Sequence, residues 1–351
     1  MPFPAILVLR LVVTRSQSPA RLTGLMAAAV LAAALLIPAP SHAQADGGIT
    51  EETFAAVVKV SVKVPAGART ARRLGTEREG NGVVIDSNGL VLTISYIMLE
   101  ADTIDIGLPD GTKVAARAIS YDHETGFGLI RASKPLGIKP MAIGNSDTVK
   151  ARDEVLVAAF GGRKSVIGAY VVSRRPFAGW WEYLLENAIF TSPPHPSFGG
   201  AALIDGDGRL IGIGSLIIGD AAGPDQPLPG NMFVPIDRLK PILADLLSQG
   251  RRSGPHRPWL GLTSEELRGR LFVMRVARGG PAFSAGIRPG DLVIGVDGKP
   301  VEGLIDFYRR VRATGDAGTE VTLNVLHGIN TKTVVIKSMA RYDWLQRGVG
   351  N

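Results

Sequence analysis

The stretch His195-Pro196-Ser197-Phe198-Gly199-Gly200-Ala201 sets a histidine two residues from a serine, beside a glycine pair that opens a small apolar strand. A serine hydroxyl becomes a useful nucleophile only when a neutral imidazole takes its proton and a third group holds that imidazole in the right tautomer. Backbone N–H groups must also converge on the oxyanion that forms. Residues i and i+2 on a strand face the same side, so a His195–Ser197 pair is sterically possible. Pro196 between them predicts an irregular loop instead, and neither a third group nor oxyanion donors can be named beside them. Both are therefore expected to be polar loop residues, with hydrolysis at Ser197 as the alternative.

Other chemistry finds less support. The remaining histidines, His42, His123, His256 and His327, show no metal-ligand spacing, and the chain has no cysteine. That excludes disulfides, thiol nucleophiles and Cys-ligated zinc, and no metal or other cofactor is expected. The glycines of "GDGRLIGIG" (206–214) punctuate a hairpin, and no helix start follows them to hold a phosphate.

The elements that must position such groups are mostly strands. Short apolar runs such as "GVVIDS", "LVLTIS", "TIDIGL", "KVAARAIS", "FGLIRA" and "EVLVAAF" alternate with turn signals at Ser87-Asn88-Gly89, Pro109-Asp110-Gly111 and Gly161-Gly162. A spacing of roughly 8–12 residues between short strands argues for an all-β sandwich or barrel. Helix is expected over the opening run "TEETFAAVVKVSVKV" (50–64), over "IDRLKPILADLLSQG" (236–250) with Gly250 as its stop, and over "GLIDFYRRVRAT" (303–314). "RRSGPHRP", with two prolines in eight residues, is a linker, and the residues beyond it have a different turn grammar.

Composition agrees with a turn-rich soluble β protein: 351 residues, 45% hydrophobic, 43 glycines and only 6% aromatic. Arg10, Arg15 and Arg21 precede the thirteen-residue apolar run Leu25–Ile37, and Ser41-His42-Ala43 offers small residues at a cleavage site. A run this short suits a secretory signal peptide better than a span, with an uncleaved membrane anchor as the alternative. The formal charge of +7 includes those three arginines. Basic residues elsewhere lack interleaved aromatics or a helical stripe, so nucleic acid is not an expected partner.

Five segments, "GNGVVIDSNGLVLT", "DHETGFGLIRAS", "IGNSDTVKARDEVLVAAFGG", "GGAALIDGDGRLIGIGSLI" and "FVPIDRLKPIL", resemble the HtrA/Deg family of trypsin-like periplasmic proteases, in that family's order. The resemblance runs over about residues 50–340. It implies a mostly β fold, a trypsin-like double β-barrel followed by a C-terminal PDZ domain. The expected division is a signal peptide over 1–43, a protease-type domain over 44–250, a linker over 251–257, a PDZ domain over 258–340 and a tail over 341–351.

The family's catalytic motifs are altered. Its histidine stretch reads LT-N-N-H-V; "LTISYIM" (92–98) has Tyr96 at the histidine, and a phenol with a pKa near ~10 is no base for a serine at neutral pH. Its aspartate stretch reads D-x-x-T-D-L-A-L; "DHETGFGLI" (122–130) has Gly126 at the aspartate. Its nucleophile loop reads N-P-G-N-S-G-G; "HPSFGGA" (195–201) has Gly199 at the nucleophile and Ser197 displaced two positions toward the N-terminus. A retired serine-protease site is expected, its oxyanion loop refolded by Ser197-Phe198.

The resemblance also implies a peptide site that is intact. The family's carboxylate-binding loop corresponds to "PWLGLTSEE", with Trp259, Leu260, Gly261 and Leu262 in the loop and Thr263 opening the strand that a C-terminal peptide would join. Leu304 and Phe307 of the facing helix form the other wall, or Leu304 and Val311 pack the core while Phe307 or Tyr308 is surface. Exposed C-terminal peptides or unfolded segments are the implied ligands, and an active HtrA-type protease is a possible partner. A homo-oligomer, by family resemblance a trimer through residues such as Phe54, is expected. A structural partner in a hetero-oligomer, its groove self-occupied, is a further alternative.

Overall fold

The computed structural model describes residues 48–179 and 183–345. The signal peptide expected over 1–43 lies outside the described residues. The first six strands are β1 (Val57–Lys63), β2 (Glu77–Val84), β3 (Leu90–Ile94), β4 (Thr103–Gly107), β5 (Lys113–Tyr121) and β6 (Phe127–Ala132). They close into an antiparallel barrel in the order β1-β2-β3-β6-β5-β4. A second barrel uses β7 (Glu154–Ala158), β8 (Val166–Gly179), β9 (Tyr183–Ser192), β10 (Ala202–Ile204), β11 (Leu210–Ile218) and β12 (Gly230–Pro235). Its order is β10-β11-β12-β9-β8-β7. Closure pairs every strand on both sides, so neither barrel has an edge.

The third domain is an open antiparallel sheet. β13 (Leu262–Leu267) is its edge, followed across the sheet by β14 (Arg270–Val276), β15 (Leu292–Val296), β17 (Glu320–His327) and β18 (Asn330–Lys337), while β16 (Lys299–Pro300) pairs with β15. This is the expected architecture: two closed barrels, then a PDZ domain.

Helices are few: α1 (Glu51–Ala55), α2 (Ala71–Leu74), α3 (Ser95–Met98), α4 (Leu243–Gln249), α5 (Pro281–Ser284), α6 (Leu304–Ala313) and α7 (Arg341–Trp344) among the described residues. Two of them correct the expected elements. The helical start over 50–64 ends at Ala55, and the chain then extends as β1. Val58, Val60 and Val62 are buried in alternation with Lys59, Ser61 and Lys63, a period of two that suits stiff β-branched side chains. The helix over 236–250 is confined to α4 because Pro241 interrupts the run. A proline there has no N–H for the helical ladder, and only a short 3₁₀ turn, Ile236–Arg238, forms before it. Gly250 ends α4 at φ +70°, the left-handed position at which glycine is unstrained.

Valine, leucine and isoleucine fill the barrels, with Phe127, Phe190 and Phe233 as the largest fully buried side chains there. The PDZ domain has its own core around Leu260, Leu271, Val273, Phe307, Val321 and Leu323. Residues 341–345, a tail in the sequence-based division, contain α7, because Tyr342 and Leu345 are buried against neighbouring parts of the chain.

Candidate functional site

The end of β3 turns directly into α3, which carries Tyr96 toward the loop before β10. The Tyr96 hydroxyl donates to the Ser215 carbonyl at 2.9 Å. A Cβ placed on Gly199 would stand 2.8 Å from that same oxygen, so the phenol fills the volume a side chain at 199 would need. Gly126 lies at φ +86°, and its carbonyl accepts from Ser95 N–H at 2.7 Å, tying the turn before β6 to the start of α3. Tyr96, Gly126 and Ser215 line one small cavity together with Ser95 and His123. The fold thus gathers Tyr96 of α3 with Gly126 and Gly199 from two separate loops.

The loop over 197–199 is held by a residue that sequence reasoning passed over. Asn81 donates through Nδ2 to the carbonyls of Ser197 (2.8 Å) and Gly199 (2.9 Å), and its backbone N–H also reaches Gly199 at 2.8 Å. Its Oδ1 accepts from Phe160 N–H at 2.8 Å. Only its place between two glycines in "GNGVV" hints at this, because three elements must approach closely there. Gly200 is part of the same packing: at φ +74° its Cβ would fall 1.9 Å from the Asn81 carbonyl, which no other residue could tolerate.

His195 and Ser197 do meet, but not as base and nucleophile. The Ser197 backbone N–H donates to His195 Nδ1 at 3.0 Å, and His195 Nε2 faces the Ser165 carbonyl at 3.2 Å. An acceptor at Nδ1 and a carbonyl at Nε2 require the proton on Nε2. Burial, with the residue only 6% exposed, lowers the imidazole pKa, which favours the neutral ring at neutral pH. Asn231 completes the cradle, its Oδ1 accepting from His195 N–H at 2.6 Å. Both ring nitrogens are therefore engaged, and the Ser197 N–H is turned into the loop rather than toward a substrate oxygen.

The peptide-site residues expected in the PDZ domain converge. Trp259, Leu260, Leu262 and Phe307 are buried, while Thr263 and Leu304 are half-buried. The alternative that left Phe307 or Tyr308 on the surface is corrected: both are buried along with Val311, because α6 turns that face against β13. Gly261 has φ +77°, and a Cβ there would crowd Trp259 at 3.2 Å and Pro281 at 3.3 Å. Its carbonyl accepts from Ala277 (2.7 Å) and that of Leu260 from Ala282 (2.8 Å), whereas the N–H groups of Leu260 and Gly261 donate to no acceptor among the described residues. A cavity between the start of β13 and α6 is lined by Leu260, Leu262, Phe307 and Val311.

This groove is hemmed in by the barrels. Leu184 of β9 is buried within the PDZ core cluster. Around it Tyr308 Oη donates to the Gly179 carbonyl at 3.3 Å, Arg312 to the Leu184 carbonyl at 3.2 Å, and Arg309 pairs with Glu186 at 2.6 Å. Burial pulls the Arg312 pKa down to about 10, so the guanidinium stays charged at neutral pH. On the other side Tyr342 Oη reaches the Tyr121 carbonyl at 3.0 Å and Asp122 at 3.3 Å. The linker adds Arg252 to Asp122 (3.1 Å) and Glu124 (2.9 Å), and Arg257 to Glu124 (2.7 Å). None of these clamps carries a local motif; they depend on residues far apart in the chain.

Comparison with known proteins agrees with this architecture. A trypsin-like peptidase domain matches residues 80–213 and a PDZ domain matches residues 258–337. The chain is 28% identical over 267 residues to the periplasmic pH-dependent serine endoprotease DegQ of Escherichia coli K12, covering 70% of this chain and 56% of that protein. It is 27% identical to the periplasmic serine endoprotease DegP of the same organism, covering 70% and 54%. The chain thus spans about half the length of the curated relatives it matches. The HtrA-type protease AlgW, solved with a decapeptide, superposes with a TM-score of 0.50 at 20% identity, over 83% of this chain and 98% of that one, a likeness of fold. The two domain matches stand in the order that HtrA-type proteases have, and each covers less than half of the chain.

Proposed function

We propose that this HtrA/Deg-type chain is a periplasmic peptide-binding protein whose barrels no longer carry out hydrolysis. It captures exposed C-terminal peptides or unfolded segments in its PDZ groove, as a scaffold, escort or modulator of an active protease relative. The observation that carries the proposal is the Tyr96 hydroxyl standing where a side chain at Gly199 would be. No serine–imidazole pair can assemble around that phenol. The commitment of His195 Nδ1 to the Ser197 N–H supports it further, because it keeps that histidine from acting as the base for Ser197. For the groove, support comes from Gly261 at positive φ, the N–H groups beside it, and the apolar wall of Leu260, Leu262 and Phe307. The periplasmic names of the relatives, with the apolar leader, favour export.

The test is binding of a fluorescent peptide with an apolar C-terminus, read by polarisation, beside the same peptide amidated. The proposal expects saturable binding of the free acid, weakened at least roughly tenfold by amidation, as loss of a charge-assisted hydrogen bond would give. Equal binding of both peptides, or none of either, contradicts it.

Leu184 favours a second reading, in which the β8–β9 hairpin occupies the groove and the chain serves as a structural partner in an oligomer. That reading expects no peptide binding by the intact protein, and a complex with another protein that survives Gly261→Glu.

A further inference from the structure

A second recess lies on the opposite face of β13 from the peptide groove. Leu260 and Leu262 line the groove, Gly261 and Thr263 line the recess, and Trp259 and Arg341 border both. Thr263 is paired in register with Arg275 of β14, so both belong to this face. Opposite them stand Arg69 and Arg73, from the loop before α2 and from α2 itself, and Arg341 of α7 closes one side. Four guanidinium-bearing residues thus share a recess of about 200 Å³, and no carboxylate lines it among the described residues.

The rim is built rather than incidental. Glu100, itself buried, accepts from Arg69 N–H (3.0 Å), Thr70 N–H (2.7 Å) and Thr70 Oγ1 (2.6 Å), fixing the start of α2. Arg78 donates to Thr70 Oγ1 at 2.7 Å, which places a cation beside the Glu100 carboxylate. The Arg69 guanidinium lies 3.7 Å over the Trp344 ring, which in turn packs on Trp259 with centroids 5.3 Å apart. Trp259 is 7% exposed, and its indole Nε1 is buried without an acceptor among the described residues. A buried donor without a partner is costly unless a ligand supplies one.

We propose that this recess binds a phosphate group. Arg69 and Arg275, which pair with no carboxylate among the described residues, suit an oxyanion, because a guanidinium offers a planar fork of donors. The two charges of Arg69 and Arg275 favour a dianionic phosphate monoester over a single carboxylate, and the aromatic floor holds the Arg69 fork in place by cation–π contact. The phosphate belongs either to a soluble anion or to a lipid headgroup at the membrane surface. The recess shares Trp259, Gly261 and Thr263 with the loop and strand expected to hold a peptide, and it needs no hydrolytic chemistry.

The test uses intrinsic tryptophan fluorescence of the purified protein, since Trp259 and Trp344 line the recess. Titration with inorganic phosphate is expected to give a saturable change that potassium chloride at matched ionic strength does not reproduce. Arg69→Gln and Arg275→Gln are each expected to weaken it roughly tenfold or more, while Arg288→Gln, away from the recess, leaves it unchanged. The milder Arg69→Lys and Arg275→Lys variants serve if the glutamine variants fail to fold, with a smaller loss because the charge stays although the bidentate fork is gone. A second arm measures cosedimentation with phosphatidylcholine vesicles, with and without phosphatidic acid. Capture only by the phosphatidic acid vesicles, lost in Arg69→Gln, identifies a lipid source; phosphate binding without capture identifies a soluble one. No saturable response to phosphate, an equal response to chloride, or a response undiminished in the arginine variants overturns the proposal.

Discussion

The hydroxyl of Tyr96 lies 2.8 Å from the point where a Cβ on Gly199 would stand, and donates to the Ser215 carbonyl at 2.9 Å. The two positions constrain each other. With tyrosine on α3 only glycine fits at 199, and with glycine at 199 the phenol can reach across to β11. Gly199→Ser alone is therefore expected to destabilise the protein by about 1–3 kcal/mol, the usual range for overpacking. Adding Tyr96→Ala should relieve the clash and recover part of that loss. Urea midpoints at unchanged slope measure both effects.

Restoring the three side chains of the family motif together, Tyr96→His, Gly126→Asp and Gly199→Ser, is expected to give weak proteolysis at best. The Ser197 N–H would still donate to His195 Nδ1, leaving the oxyanion loop unrepaired. Gly126 also sits at φ +86°, where aspartate is strained. Casein hydrolysis by the triple variant checks this, and robust turnover would refute the role given to the loop.

His195 makes stability fall in mild acid. Its folded pKa is lowered by burial, so between the lowered value and the unfolded value near ~6.5 the unfolded chain binds more protons than the folded one. The stabilisation is fully present above the unfolded value and is lost as pH falls through the folded one. His195→Asn keeps an acceptor near the Ser197 N–H without titrating. Urea midpoints measured from about pH 8 to about pH 5 should slope less in this variant than in the parent.

Asp122 anchors the PDZ domain to the first barrel. It is completely buried and accepts from Thr125, Arg252 and Tyr342. Removing its carboxylate leaves Arg252 without that counter-charge, so Asp122→Ala should cost about 3 kcal/mol, while Tyr342→Phe costs about 1 kcal/mol. Both are expected to speed proteolytic cutting of the linker between Gly250 and Pro258. The double variant should lose less than the sum, since the two side chains share one contact.

Leu184→Ala separates a groove that is merely bordered from one that is blocked. Truncating this buried leucine should lower stability by about 2–5 kcal/mol. If the hairpin blocks the groove, the same change should also tighten peptide binding. Unchanged affinity, measured by polarisation, would assign Leu184 to core packing alone.

The sequence made the barrels and the PDZ domain legible because turn signals and strand periods are local. The expectation of altered motif positions at Tyr96, Gly126 and Gly199 has the same local basis, each lying inside a short recognisable run. What it hid was the conjunction of distant residues. Asn81 reads as an ordinary strand residue, yet it pins a loop more than a hundred positions away. Leu184 reads as barrel core but enters the PDZ cluster, and Tyr342 reads as tail but docks beside Asp122. β1 was mistaken for helix because Glu and Ala open the run, although the valine alternation behind them has a period of two.

The most direct test of the central claim is degradation of an unfolded protein by the purified chain, run beside labelling with a serine-reactive phosphonate. Ser197→Ala serves as the control for contaminating protease. The account predicts neither cleavage nor label, because the space at Gly199 belongs to Tyr96 and His195 is committed within its loop. Cleavage and labelling that both disappear in Ser197→Ala would contradict it, and would make Ser197 a working nucleophile.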